Sequence, residues 1–177
     1  SIMGVSQGGM IAQAFAIMYP EMVEKLVVVV SAPRANEMIQ ENVRAWIELA
    51  LQGDHKKLMI DTAEKGYTEK YLKKYRWMYP ILGMVGKPKN YGRFLVNARA
   101  ILGFDVQDEL DRITCPTYII AGGVDKTVGA EASYVMKAKI AKSELYVYPD
   151  LGHAAYEEAK DFYHRVYEFL EDRHDDN

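Results

Sequence analysis

Three residues far apart in the chain, Ser6, Asp125 and His153, are of the types that together perform nucleophilic catalysis. Each is predicted to lie in a loop that directly follows a strand. In an open parallel sheet such loops gather at the carboxyl edge, where ligands bind. A serine hydroxyl needs a neighbouring base to become a nucleophile, and we predict that His153 is this base. The imidazole needs a carboxylate on its other nitrogen, a role that suits Asp125.

The residues around Ser6 read GVSQGG at positions 4–9. Their G-x-S-x-G spacing is typical of a nucleophile elbow, a tight turn from a strand into a helix with serine at its apex. The serine then has a strained backbone with positive φ, and the glycines on either side let strand and helix pass close together. The backbone N–H of Gln7 would lie at the helix N-terminus, so we predict that it supplies half of an oxyanion hole.

The acid has two other interpretations. Asp125 could instead be a helix-capping aspartate ahead of Thr127. Asp150 is the nearest rival carboxylate, but it lies close to His153 along the chain, and we predict that it shapes its own loop. Because a serine and a histidine accompany it in the right order, Asp125 is the acid that we favour.

The other histidines and the single cysteine are predicted to have no catalytic role. His55, His164 and His174 lie in predicted helices or in the polar tail, where we expect them to be solvated. No histidine or cysteine pair has the spacing of metal ligands, so no metal site is expected. Cys115 comes just before a proline at a probable strand start, and we expect it to be buried and inert.

Composition limits the classes of function. The 177 residues are 49% hydrophobic and 27% charged, which is ordinary for a globular protein with one sizeable core. The net charge is −3 with no basic block, so binding to nucleic acid or to an anionic membrane has no electrostatic support. We find neither a membrane-spanning stretch nor a signal peptide, and a lone cysteine forms no internal disulfide. A cytoplasmic location is the default expectation.

The pattern of elements predicts an α/β fold in two parts. A helix is predicted over 7–18 and a buried, β-branched strand over 26–30, and strands return at 117–121 and 144–148. Further helices are predicted over 130–140 and 156–170. We therefore assign residues 1–33 and 104–177 to a core with a mostly parallel sheet, and residues 34–103 to a helical insertion.

The insertion is predicted to contain four helices. The first runs over 37–52 with Asn36 as its cap, the second over 56–64, the third follows Thr68, and the fourth covers 91–102. Pro80 and the segment 83–88 interrupt the pattern. Aromatic residues of the insertion could line an apolar substrate pocket, and the candidates are Trp46, Tyr75 and Trp77. The alternative is that these rings pack the insertion onto the core.

These motifs together closely resemble the α/β-hydrolase superfamily. The resemblance lies in GVSQGG at 4–9, in LDRITCP at 110–116 leading to GGVD at 122–125, and in LGH at 151–153 followed by two glutamates. It implies the order serine, acid, histidine in the chain and a helical cap over the site. It also implies hydrolysis of an ester, amide, thioester or similar bond of a small molecule, through an acyl-enzyme and without a cofactor.

The chain departs from the family before the elbow. Family members carry several strands and two helices there, including a loop that donates a second oxyanion N–H, whereas here the elbow begins at Gly4. The elbow strand would then expose an unpaired edge and an apolar face. We therefore expect a homodimer, a higher oligomer or a complementing N-terminal fragment to cover it. The absence of Met at position 1 favours a fragment or a processed chain.

The leading hypothesis is a serine hydrolase, carboxylesterase-like, acting on a small apolar acyl substrate. The alternative is a truncated, catalytically impaired relative that acts as an oligomerising or binding module. A third idea is that the same triad serves a cofactor-free perhydrolase or a C–C bond hydrolase.

Overall fold

The computed structural model describes residues 1–171, and their centre is a sheet of four parallel strands. These are β1 (Ile2–Val5), β2 (Leu26–Val29), β3 (Thr117–Gly122) and β4 (Ser143–Tyr148), arranged in the order β1-β2-β3-β4. The register places Gly4 opposite Val28 and Val28 opposite Ile119. The predicted α/β class with a parallel sheet is confirmed.

Helices lie on both sides of this sheet and between its strands in sequence. In chain order they are α1 (Gln7–Met18), α2 (Glu37–Leu51), α3 (His55–Gly66), α4 (Glu69–Tyr75), α5 (Tyr79–Leu82), α6 (Gly92–Leu102), α7 (Glu131–Lys139), α8 (Ala155–Glu158) and α9 (Phe162–Glu171). Short 3₁₀ turns occur at Pro20–Met22, Arg76–Met78 and Gln107–Arg112.

Burial on both faces explains why the strands read as continuous apolar runs. Every residue of β2 and β3 is buried, as expected for central parallel strands. Val28 and Ile119 share a cluster with residues of α1 and α7 on one face of the sheet. On the other face, Val27 and Val29 share a cluster with residues of α9. The sheet is therefore the middle of three layers.

Helices α2 to α6 form one block inserted between β2 and β3. The block joins the core through a third apolar cluster, in which Ile39 of α2 and Ala98 of α6 meet Met10 of α1. Asn36 caps α2 as predicted, since its side chain accepts the N–H of Ile39 at 2.9 Å. The same side chain donates to the carbonyl of Val128 in the core at 2.7 Å, so the start of the block is fixed to the core.

Three local predictions are wrong. Pro80 does not interrupt the helices but lies in the first turn of α5, where its missing N–H is not needed. The closing helix is not continuous, because Ala159 is extended and ends α8 before α9 begins at Phe162. His55 is not solvated but only 8% exposed, because its ring lies beside that of Tyr91, with 6.4 Å between centroids.

Other predictions concern exposure and the tail. Cys115 is free and buried as expected, and burial raises the pKa of its thiol. His164 is exposed on α9, whereas His174 lies outside the described residues. Within residues 1–171, no helix has both the length and the apolar character needed to cross a bilayer.

Candidate active site

The turn between β1 and α1 has the strained geometry expected of an elbow. Ser6 has φ 53° and ψ −120°, a region that non-glycine residues rarely occupy. Its N–H still continues the sheet by donating to the carbonyl of Val29 at 2.9 Å. The side chain therefore stands at the carboxyl edge of the sheet, held by a backbone fixed on both sides.

Close packing at this turn requires glycine at positions that differ slightly from the expected ones. A Cβ atom on Gly4 would come within 2.2 Å of the carbonyl oxygen of Gly8, and one on Gly9 within 2.5 Å of the Ser31 Cβ. A Cβ on Gly8 would meet no atom within 4 Å. The strand and the helix thus approach through the missing side chains of Gly4 and Gly9.

Ser31 is a supporting residue that the sequence analysis missed. Its hydroxyl donates to the carbonyl oxygen of Ser6 at 2.8 Å and is fully buried. Val30, just before it, has φ 41°, which is unusual for a β-branched residue. This second strained position turns the chain after β2 so that Ser31 lies under the elbow. The available signal in the sequence was a serine directly after the apolar run at 26–30.

The structure brings the three predicted catalytic side chains into one hydrogen-bonded chain. The Nε2 atom of His153 lies 2.8 Å from the Ser6 Oγ, and its Nδ1 atom lies 2.9 Å from the Asp125 Oδ2. An ionised carboxylate only accepts hydrogen bonds, so Nδ1 carries the proton and Nε2 is free to accept the serine hydroxyl. This arrangement is able to remove a proton from Ser6.

Asp125 is not a helix cap, because α7 begins only at Glu131, but its carboxylate holds the turn that follows it and contacts His153. One oxygen, Oδ1, accepts the backbone N–H groups of Thr127 at 2.7 Å and Val128 at 3.0 Å. The other oxygen, Oδ2, accepts from His153. The side chain is only 2% exposed, and these bonds compensate the burial of its charge. Asp125 is thus held in place by its own turn in contact with the imidazole, and its catalytic role stays a prediction.

Gln7 is the first residue of α1, directly after the elbow. The first N–H groups of a helix have no acceptor within that helix and point out of its N-terminus. The side chain of Gln7 donates to the carbonyl of Asn97 at 3.4 Å, which joins the elbow to α6 of the helical block. The oxyanion role of its N–H stays a prediction that this position supports.

The aromatic candidates lie within the helical block, and in the described part of the chain no hydrogen bond, ion pair or ring contact joins them to the other predicted site residues. Trp46 donates from its indole to Asp61 at 2.6 Å, and Lys65 lies 5.7 Å from its ring centroid. Tyr75 lies beside Tyr71 and is 40% exposed. Trp77 is 70% exposed in the turn Arg76–Met78. Their role in substrate binding stays a prediction, and for Trp46 the packing alternative is favoured because its side chain packs against the cluster that includes Met10 of α1.

Comparison with known proteins places this geometry in a family. A family model described as alpha/beta hydrolase fold matches residues 2–160. The chain is 27% identical over 184 residues to 2-hydroxy-6-oxo-6-phenylhexa-2,4-dienoate hydrolase of Comamonas testosteroni, covering 97% of this chain and 63% of that protein. It is 24% identical over 175 residues to the enzyme of the same name from Burkholderia cepacia, covering 93% and 60% respectively.

A solved structure agrees with these matches. The alpha/beta hydrolase enzyme MGS-M2, from a Medee basin deep-sea metagenome library, superposes with a TM-score of 0.88 at 25% identity, over 96% of this chain and 64% of that one. The chain therefore spans less than two thirds of the length of these relatives. Since the family model covers most of its residues, the chain belongs to the alpha/beta hydrolase fold family.

Proposed function

We propose that the protein is a serine hydrolase that cleaves an ester-like bond of a small molecule through Ser6, His153 and Asp125. The observation that supports this most is the unbroken chain of hydrogen bonds from Ser6 through His153 to Asp125, with distances of 2.8 Å and 2.9 Å. The three groups come from three different loops at one edge of the sheet, and the hydrolase family of the chain agrees with the reaction class.

The proposed acylation begins when Ser6 Oγ attacks the carbonyl carbon while its proton passes to Nε2 of His153. Asp125 stabilises the imidazolium that forms, because its carboxylate accepts from Nδ1. The N–H of Gln7 stabilises the oxyanion. His153 then gives its proton to the leaving alcohol as the bond to that alcohol breaks, which leaves an acyl-enzyme. Water, activated by the same histidine, releases the acid and restores the Ser6 hydroxyl.

We propose that the helical block, residues 34–103, is the cap over this site. A hydrogen bond from Gln7 to Asn97 of α6 joins the block to the elbow. The aromatic side chains of the block are the basis for expecting a small apolar acyl group. Trp46, Tyr75 and Trp77 stay the candidates for substrate contacts, to be tested by substitution.

A second candidate reaction is cleavage of a C–C bond beside a ketone. Two relatives are named as hydrolases of 2-hydroxy-6-oxo-6-phenylhexa-2,4-dienoate, whose name describes a 6-oxo compound and not an ester. The same serine and histidine would serve this reaction. The two candidate reactions differ in the substrate that they cleave and use the same three residues.

We also propose that a further polypeptide surface covers the outer side of β1, either a second copy of this chain or an additional N-terminal segment. In the described residues β1 pairs only with β2. Nearby apolar side chains are exposed, including Met3 at 48%, Ile11 at 64% and Met22 at 63%. Light scattering tests for a second copy: a stable, well-folded monomer of this chain would exclude it, and would argue against a binding module that depends on self-association.

A substrate panel with a matched serine control tests the proposed hydrolysis. Acetate, butyrate and octanoate esters of p-nitrophenol, the matched anilide and thioester, and a 6-oxo dienoate are compared. We expect ester hydrolysis that Ser6→Ala lowers by on the order of 10⁴–10⁶ in kcat, while Ser1→Ala, a change at an exposed serine, leaves it unchanged. Preference for the dienoate would favour the second candidate. Equal rates for wild type and Ser6→Ala would contradict both.

A further inference from the structure

The link between α3 and α4 lies directly against the chain around His153. Ala154 donates its N–H to the carbonyl oxygen of Gly66 at 2.9 Å. A Cβ atom on Gly152 would also come within 2.9 Å of the Gly66 oxygen. The residues before and after His153 are therefore both packed against one carbonyl group of the helical block, and glycine at position 152 permits this approach.

Two side chains of α8 complete the contact. Glu158 accepts two hydrogen bonds from Thr68, one from its N–H to Oε1 at 2.9 Å and one from its hydroxyl to Oε2 at 2.5 Å. Glu157 accepts from the Tyr67 hydroxyl at 2.7 Å. We call these contacts the linker latch, formed by Gly66, Tyr67 and Thr68 in the block and by Ala154, Glu157 and Glu158 after His153.

The Glu158 part of the latch is the stronger one. Hydrogen bonds to a carboxylate are stronger than neutral ones, and both Thr68 bonds are partly buried. Thr68 is also the N-cap of α4, because its hydroxyl oxygen accepts the N–H of Tyr71 at 3.3 Å. Glu158 thus fixes the residue at which α4 begins, and through it the direction in which that helix leaves the linker.

The Tyr67 hydroxyl of the latch is kept in the protonated form that donates a hydrogen bond. Burial, together with the Glu157 carboxylate, raises the pKa of the Tyr67 phenol well above its ordinary value. The phenol therefore stays protonated at neutral pH and donates to Glu157. Glu157 itself is exposed, so this bond contributes less than the two bonds that Glu158 accepts.

We infer that Glu158 is a positioning residue, which holds the cap linker and the His153 loop as one unit. The inference rests on the proposed function, in which His153 is the base. Helix α8 has only four residues and follows His153 almost at once, so its placement and that of the imidazole are not independent. Movement of the cap on substrate binding would therefore displace His153 through Thr68 and Glu158. A displacement of a catalytic group by about 1 Å lowers the rate by on the order of 10².

The test compares Glu158→Ala with Glu168→Ala, an exposed glutamate on α9 that pairs only with His164 in the described residues. Kinetics are measured on the best substrate of the panel. We expect Glu158→Ala to lower kcat about ten- to a hundredfold and to change KM much less, since the base is displaced and the acyl pocket is retained. Glu158→Gln, which keeps one acceptor oxygen, restores part of kcat. Glu168→Ala behaves as wild type.

Hydrogen exchange supplies a readout that does not depend on activity. In Glu158→Ala the amide of Thr68 loses its acceptor, so it exchanges faster whether or not Glu158 positions His153. The amide of Ala154 keeps its acceptor on Gly66, so it exchanges faster only if the linker and the His153 loop separate together. Faster exchange at both amides is the expected result. Faster exchange at Thr68 alone, with kcat unchanged, would overturn the inference.

The two proposals fail in different ways. If wild type hydrolyses no substrate, the proposed function fails, and exchange at Ala154 still decides whether the latch couples the two segments. If wild type is active and Glu158→Ala matches Glu168→Ala in both measurements, only the positioning role fails. Should Glu158→Ala not fold, Thr68→Val removes the hydroxyl that both donates to Glu158 and caps α4, and Thr68→Ser, which keeps that hydroxyl, is the matched control.

Discussion

The sheet and the helical block are stabilised in different ways, and the difference shows which region has to be rigid. In the sheet, Val27, Val28 and Val29 of β2 have no exposed surface. In the block, Trp77 is 70% exposed and Met84 75% exposed. Burial of β-branched side chains on both faces fixes the strands, whose ends position the three groups of the triad.

Beyond its one apolar cluster with the core, the block relies on polar pairs at its surface. Arg76 donates to Glu64 and Glu69 and so joins α3 and α4. Its connections to the core combine the third apolar cluster with specific hydrogen bonds, among them Asn36 to Val128 and the linker latch. A region held in this way tolerates changes of its surface more readily than the sheet does, and it moves as a unit where these connections allow.

The largest effect is expected at Asp125, at the carboxyl edge of the sheet. Asp125→Asn keeps the size of the side chain but favours the wrong imidazole tautomer, so we expect kcat to fall by about 10⁴ with little change in fold. Asp150→Asn, at the exposed rival acid, is the matched control and leaves kcat unchanged. Steady-state kinetics measure both. A larger loss in Asp150→Asn would show that the acid is misassigned.

Truncation of a buried strand residue is expected to destabilise the whole protein. Ile119 has no exposed surface, so Ile119→Ala removes packing that neighbouring atoms only partly recover and lowers the free energy of unfolding by about 2–5 kcal/mol. Val96 of α6 is 65% exposed, and Val96→Ala is expected to change the free energy of unfolding by less than about 0.5 kcal/mol. Urea denaturation followed by circular dichroism compares them. Equal losses of unfolding free energy in the two variants would contradict the proposed difference between the sheet and the block.

A smaller effect is expected at the start of the block. Asn36→Ala removes the cap of α2 and its bond to the core, at a cost of about 0.5–2 kcal/mol. Because the strands keep their packing, we expect faster amide exchange in α2 and unchanged exchange in β2. Uniformly faster exchange in both elements would show that block and sheet unfold as one cooperative unit.

The smallest effect is a pH dependence confined to the block. The Arg76 guanidinium holds the pKa of Glu64 below its ordinary value of 4.5. A lowered folded-state pKa gives stabilisation that is complete above the ordinary value and is lost as the pH falls through the folded value. The difference in urea midpoint between wild type and Arg76→Gln should therefore shrink as the pH is lowered from neutrality to below 4. A difference that grows on acidification would contradict this.

The core and the meeting of Ser6, His153 and Asp125 could be predicted because their signals are local. The valine run of β2, the GVSQGG turn and the glycines before Asp125 and His153 each report a requirement of the backbone at that point. Parallel pairing then brings the strand ends together without any further information. The three side chains were accordingly identified by residue type and by their position after a strand.

What could not be predicted depends on contacts between distant segments. The burial of His55 comes from the ring of Tyr91 at the start of α6, and the support of Ser6 by Ser31 requires the strained Val30. The division between α8 and α9 is invisible in a pattern of apolar residues that continues across it. The linker latch joins residues about 90 positions apart, so neither partner signals the other in the sequence.

Labelling with a fluorophosphonate probe, followed by intact mass measurement, tests the central claim most directly, because such probes react only with an activated serine. We predict a single adduct on wild type that is absent from Ser6→Ala and strongly slowed in His153→Gln, since nucleophile and base act together. A folded wild-type chain that forms no adduct, or a Ser6→Ala variant that is labelled like wild type, would contradict the assignment of Ser6 and His153 as a catalytic pair.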